Sequence, residues 1–425
     1  MAFYHIILPK SSQSRFSTYS EEELLEQYKN KVWKELDSQS RLDLMHETIA
    51  TYCKKNGIKS VPNILEERSS SLYGSYSAYS NTVYINLELC NNPYEALDTI
   101  IHETNHAYQE QCIKENTGYT QEERALLKAE NGEAYQKEGL AYERQSLETD
   151  SNNAGIKILL SEQARYEKDP LFAEYMSKRV QYFGKIAADY TQNTEASRNS
   201  ERLQLKKAYE ECEISAEEYQ YAANYLQDSK DNIKKESVKL ETSIQKSFKE
   251  CVMICSKDLH RRFEQCQWDG NRKAMSQVHE DITIHQKILQ QCECNTKVCI
   301  DAKLQEIRQY VCANNMGRYD TERDSFYKQM VSELSVLQEE QKRYSYAIAE
   351  LQTDNQLMGY DKQEFSKDYK NTIEEQKGDG LEQCSNNAQK NYITRDMDDG
   401  LDLENNYHYE TVALDNSLDS GIGIE

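Results

Sequence analysis

Residues 99–109 read TIIHETNHAYQ, and the reading of the chain turns on them. Two histidines four residues apart on a helix lie on one face, one turn above the other. The imidazoles of His102 and His106 can therefore reach one cation while Glu103 projects beside them. This is an H-E-x-x-H arrangement. Every position from Thr99 to Tyr108 other than Glu103 and the two histidines is uncharged, as suits a helix buried in a cleft. A metal with two histidine ligands, a third protein ligand and an open position can bind water and lower its pKa from about 15.7 toward ~7. A nearby carboxylate then takes the proton, and Glu103 fits that role. The plainer alternative leaves both histidines as polar residues on a partly exposed helix.

Upstream, Asn81–Cys90 reads NTVYINLELC, with Val83, Ile85 and Leu87 alternating against Tyr84, Asn86 and Glu88. The period of two predicts a half-buried strand, and its position just before the helix offers an edge along which an extended peptide could pair. Asn92 and Pro93 follow as cap and first helical residue, Glu95 completes a capping-box pattern, and the helix is predicted to reach about Cys112. Two further helices are expected before the strand, over Glu21–Leu36 and Ser40–Lys55, the second stopping at Gly57.

Downstream, a third ligand is sought on a helical stretch predicted from about Asn131 to Asn153, where Glu133, Glu138, Glu143, Glu148 and Asp150 are candidates. Glu148 is favoured because Ser146, Leu147, Thr149 and Ser151 around it are small or apolar, whereas Glu138 and Glu143 adjoin Lys137 and Arg144. Its alternative is an ordinary solvated helix glutamate. Asp150 is a candidate for orienting a ligand imidazole. Tyr108 and Tyr142 are candidate donors to a developing oxyanion, though either could simply pack.

HETNHAYQ, preceded by NTVYINLEL and NPYEALDTII and followed some forty residues later by YERQSLETDS, resembles the zincin-like metallopeptidase domains of bacteria and phages. These include domains used as toxins or effectors in polymorphic toxin systems. The family pattern is a strand, an HE-x-x-H-A-Y-Q helix, and a helix with a Glu-x-Asp-Ala signature. The resemblance implies His102, His106 and Glu148 as zinc ligands and Glu103 as catalytic base, with Zn2+ as cofactor and a protein or peptide as substrate. It covers roughly residues 40–155. The chain departs from the pattern at Ser151, where alanine is usual, and at Asn105, where a basic residue is common.

The rest of the chain is of a different kind. All four prolines fall within the first 170 of 425 residues, which predicts a mixed domain at 1–165 and a helix-rich region at 166–390. Met330, Leu334, Leu337, Tyr344, Ile348 and Leu351 recur at helical steps, the seam of a coiled coil or long hairpin that could serve a helical partner or self-association. A weaker version spans Ile214–Phe248, opened by the capping pattern at Ser215 and Glu218. Residues 391–425 form an acidic tail expected to stay disordered, with nine acidic residues and no Lys or Arg from Asp396 onward. The overall expectation is α+β: a small zincin-like domain followed by an all-α, partly coiled-coil region.

Seven cysteines lie between 251 and 312 (Cys251, Cys255, Cys266, Cys292, Cys294, Cys299 and Cys312), beside His260, His279 and His285. Three readings stand: buried core thiols, a second structural zinc site, or cross-links. With 51 Lys+Arg against 73 Asp+Glu, the net charge of −22 disfavours nucleic-acid binding. The longest apolar run, near Phe3–Pro9, is far short of the ~20 residues of a membrane span. It also lacks the marks of a signal peptide, so the expected compartment is the cytoplasm unless a signal-less export route is used. The expected function is a zinc metallopeptidase. The competing one is a non-enzymatic helical scaffold with a structural or degenerate zinc site.

Overall fold

A computed structural model of the chain describes residues 14–68, 72–132, 135, 142–143, 145–192, 194–228, 230–314, 316, 321 and 324–358. Glu133, Glu138, the apolar run at Phe3–Pro9 and the acidic tail at 391–425 lie outside the described residues. What is described is mostly helical with one small sheet, an α+β arrangement.

The chain opens with α1 (Glu21–Glu26) and α2 (Asn30–Trp33) rather than with one helix over Glu21–Leu36. The break has a packing cause. Residues five apart on a continuous helix point ~140° away from each other. Turning the chain between the two helices instead lets Tyr28 and Trp33 both bury and stack, with ring centroids 5.6 Å apart. Tyr28 also donates to Thr48 Oγ1 (3.2 Å) on α3 (Ser38–Asn56). Asp37 caps α3 by accepting from Ser40 N (2.7 Å), and Gly57 ends it at φ 70°, a left-handed conformation that glycine adopts freely.

Three short strands follow: β1 (Asn63–Glu66), β2 (Gly74–Ser77) and β3 (Thr82–Ile85). The sheet order is β1-β3-β2, with β3 parallel to β1 and antiparallel to β2. This corrects two expectations. The strand stops at Ile85 and does not reach Cys90, because Asn86 Oδ1 turns back to accept from the backbone of Glu88 (3.1 Å) and Leu89 (3.3 Å). In addition, β3 is the central strand and already paired on both sides, so the free edge beside the helix belongs to β2.

Helix α4 (Pro93–Glu115) begins where its capping residues predict. Asn92 Oδ1 accepts from Tyr94 N (3.0 Å) and Pro93 takes the first turn. Glu95 does not close a capping box; its carboxylate meets the Tyr73 hydroxyl instead. The helix outruns Cys112 to end at Asn116 in the left-handed conformation, φ 54°. It packs on α3, on β2, on α5 (Gln121–Glu130) and most extensively on α6 (Ser146–Ser161).

After the one-turn α7 (Gln163–Tyr166) come α8 (Pro170–Gln192), α9 (Thr194–Glu210), α10 (Ala216–Asp228), α11 (Lys230–Asp269), α12 (Arg272–Ala313) and α13 (Ser325–Leu357). Helices α8, α11, α12 and α13 pack together as a bundle. Met330, Leu334, Tyr344, Ile348 and Leu351 bury on α13, which lies against α12 and α11 of the same chain. Ser215 and Glu218 exchange hydrogen bonds at the start of α10, as their spacing predicts. Ala125, Leu126, Leu205, Ala208, Ile214 and Ala222 join α5, α9 and α10 in a smaller cluster.

The main core runs without a break from Leu44, Ile100 and Ile156 through Phe172 to Phe263, Leu289 and Ile348. It crosses residue 165, the boundary suggested by the prolines. The Tyr94 ring lies against Tyr166 and Phe172 (4.9 and 5.0 Å between centroids), and its hydroxyl donates to Asp169 Oδ2 (2.7 Å). Each such buried aromatic contributes roughly 1.5–3 kcal/mol by burial.

Cys251, Cys255, Cys266 and Cys292 sit in this core, and no cysteine among the described residues is in a disulfide. The neighbouring histidines are engaged elsewhere: His260 with Asp354, His279 with Asn355 and His285 with Ser256. No helix among the described residues is long and apolar enough to cross a membrane.

Candidate metal centre

His102 and His106 stand one turn apart on α4, with Nε2 atoms 3.2 Å apart and rings nearly perpendicular. Glu148 reaches them from α6. Its Oε2 lies 3.3 Å from His102 Nε2 and its Oε1 3.8 Å from His106 Nε2. One ligand atom from each of the three lies within 4.8 Å of the others, the single such grouping of histidine, cysteine and acidic side chains among the described residues. The sequence-derived triad is thus brought together although Glu148 lies 42 positions beyond His106.

Glu148 owes its placement to the first turn of α6. Helix α6 begins at Ser146, where Gln145 provides no side-chain cap; of the helix predicted from Asn131 to Asn153, residues 133–134, 136–141 and 144 lie outside the described residues. Glu130, at the end of α5, supplies the cap from outside: its Oε2 accepts from Leu147 N (3.0 Å). Glu148 therefore sits in the positive end of the helix dipole, which favours a carboxylate. Tyr135 Oη donates to its Oε1 (2.8 Å), while its buried Oε2 faces the His102 imidazole, with Nε2 3.3 Å away. Burial alone would raise the pKa of this carboxyl; the His102 and His106 imidazoles pull it down to about 2. Burial and the neighbouring His102 push His106 down to about 4, so its ring is neutral near pH 7. For His102, burial is outweighed by the hydrogen bond and charge of Glu148 and the charge of Glu103, and its pKa rises.

Two imidazoles, one of them neutral, and an ionised carboxylate form a donor set that could hold a metal ion. Glu148 is 1% exposed, whereas the imidazole side chains keep 15% and 13%.

Glu103 lies beside this group, buried, beneath β2. The strand approaches so closely that a Cβ on Gly74 would sit 2.8 Å from Thr99 Cγ2 and 3.1 Å from Glu103 Cγ. The Tyr76 backbone N–H donates to the Glu103 carboxylate. Burial, with the negative Glu148 adding and His102 opposing, pushes its pKa up to about 7.

Asp150, the candidate for orienting an imidazole, makes no hydrogen bond to one among the described residues and reaches His106 through Gln109. Its Oδ2 accepts from Asn105 Nδ2 (2.8 Å), Gln109 Nε2 (2.9 Å) and Tyr119 Oη (2.6 Å). Gln109 Oε1 in turn faces His106 Nδ1 at 2.9 Å. The two positions that depart from the zincin pattern meet here, since Asn105 Nδ2 also donates to Ser151 Oγ (3.3 Å).

Glu143 is directed away from the cluster, accepting from Tyr182 Oη on α8. Tyr108 packs against Tyr119 and its hydroxyl pairs with Cys112. Tyr142 lies edge-on to Tyr135 and bonds to the Glu148 carboxylate. Gln109, Tyr119, Glu130 and Tyr135 escaped the sequence reading. Gln109 had a signal, lying three residues beyond His106 on the same helical face. The others reach the site from separate segments.

Behind α4 and α6, α8 supplies Arg179. Its Nε lies 3.2 Å from Asp98 Oδ2 on α4, and its Nη2 donates to Asn152 Oδ1 (3.1 Å) on α6. Asn152 Nδ2 then donates to the backbone carbonyl of Glu148 (2.9 Å). Tyr175 Oη completes the Asp98 carboxylate (2.5 Å).

No protein-family model, curated protein or solved structure matches the chain.

Proposed function

We propose that the chain is a zinc-dependent metallopeptidase of zincin type, with His102, His106 and Glu148 as ligands and Glu103 as general base. The observation that carries this reading is the meeting of the two Nε2 atoms with the buried Glu148 carboxylate, beside a second buried acid, Glu103, that is not part of the ligand group. A zinc ion bound there would polarise a peptide carbonyl and make water acidic enough to be deprotonated near neutral pH. Glu103 takes the water proton on its carboxylate as the carbonyl is attacked. It then returns that proton to the leaving amine nitrogen as the C–N bond breaks. The backbone of β2, an edge strand of the sheet beside Glu103 among the described residues, supports an extended peptide as substrate.

Replacing Glu103 by Gln removes the proton acceptor while keeping the side-chain shape. The Glu103→Gln chain is expected to bind zinc as the parent does and to lose peptide hydrolysis by at least 100-fold. Undiminished cleavage of a generic protein substrate by that variant contradicts the mechanism.

A further inference from the structure

Gln109 is fully buried on α4, and its amide has no freedom to turn. Its Nε2 donates to two groups that can only accept, the Leu147 backbone carbonyl and the Asp150 carboxylate, both at 2.9 Å. Exchanging Nε2 and Oε1 would set the amide oxygen against both acceptors at once. The Oε1 is therefore obliged to face His106 Nδ1, 2.9 Å away, and a carbonyl oxygen can only accept there. Asp150 is itself held by Asn105 and Tyr119 on α4 and the loop after it, so the orienting acceptor does not drift.

We infer that Gln109 is a positioning residue that locks His106 into the Nδ1–H tautomer, keeping the Nε2 lone pair facing His102 and Glu148. The consequence for metal affinity rests on the zinc reading above; the tautomer itself does not. His102 completes the pattern, because its Nε2 is 3.2 Å from His106 Nε2 and must be the donor if His106 accepts. Ser151 Oγ, 3.3 Å from His106 Nδ1, offers a second acceptor to the same N–H.

The decisive experiment is ring-nitrogen NMR of His106 in the metal-free full-length chain, assigned by comparison with His106→Gln, together with zinc affinity by competition against a chromophoric chelator. The wild type is expected to show a protonated-type Nδ1 and a bare, pyridine-type Nε2. Gln109→Leu removes the acceptor and should shift His106 toward the Nε2–H form, with zinc affinity falling about 10–100-fold. Gln109→Glu retains an acceptor at Nδ1 and should retain the Nδ1–H signature, although it sets two carboxylates against each other. A bare Nδ1 with a protonated Nε2 in the wild type overturns the inference, and so does wild-type zinc affinity with an unchanged tautomer in Gln109→Leu. If Gln109→Leu fails to fold, the wild-type spectrum alone decides. A chain that binds zinc but hydrolyses nothing removes the proposed function and leaves the tautomer result standing.

Discussion

Gly155 and Asp98 define how closely the two ligand-bearing helices approach: a Cβ on Gly155 would lie 1.8 Å from Asp98 Oδ1 and 2.9 Å from the Asp98 backbone oxygen. Helix α6 can carry Glu148 to the histidines of α4 only because nothing larger than hydrogen stands at that contact. Gly155→Ala is expected to push the helices apart, costing about 1–3 kcal/mol as overpacking does. Zinc affinity should fall along with stability. Thermal unfolding and metal titration of this variant check both, and an alanine accommodated with parental values in each would show that the helices are not held at this contact.

Arg179 joins the bundle to the candidate site. It sits half-buried between Asp98 and Asn152 and lies over the Tyr182 and Phe183 rings at 4.8 and 5.0 Å. Arg179→Met keeps much of the packing and leaves Asp98 without its cation, an exchange that typically costs about 3–5 kcal/mol. Chemical denaturation measures the loss. A change below about 1 kcal/mol would mean that the Asp98 carboxylate is adequately served by Tyr175 alone.

Tyr135 presents a milder test. Its hydroxyl satisfies one oxygen of Glu148 and leaves the other for the imidazoles. Tyr135→Phe should lower zinc affinity about 10-fold or more while leaving the helical content unchanged, as loss of a group supporting a ligand does. Metal competition together with circular dichroism separates those two effects.

Two bundle histidines should bend the stability curve in opposite directions. Hydrogen bonding to Asp354 at 2.9 Å, with Glu264 and Glu350 at 3.6 and 3.8 Å, pushes His260 up to about 9. Its folded pKa exceeds the unfolded value of about 6.5, so this contribution is complete below that value and is lost as pH rises through about 9. Burial pushes His285 down to about 4, so the folded chain resists the proton that the unfolded chain takes up. That stability is present above about 6.5 and drains as pH falls toward 4. His260→Gln should therefore cost most near pH 6 and least above 9, while His285→Gln should flatten the acid limb. Urea denaturation across pH 5–9 reads both, and parallel curves for all three chains would contradict the assignment.

The sequence made some of this legible because its determinants were local. His102, Glu103 and His106 declare themselves by helical spacing, Asn92 and Pro93 by cap chemistry, and Glu148 by the small or apolar residues around it. What stayed hidden depends on contacts distant along the chain. The break between α1 and α2 serves Tyr28, whose partner Thr48 lies on the next long helix. The central place of β3 depends on parallel pairing with β1, which alternation alone does not reveal. Tyr135 is one of 31 tyrosines, and nothing local distinguishes it. The proline-free stretch did point to long helices, but not to a core that continues through Phe172 into the bundle.

Zinc content by elemental analysis of the purified full-length chain, compared with its His102→Ala/His106→Ala and Glu148→Gln forms, bears most directly on the central claim. The account predicts about one zinc per chain in the parent, loss of that ion from the double histidine variant, and much weaker retention in Glu148→Gln. A full complement of zinc in the double histidine variant, or none in the parent after zinc loading, would contradict it.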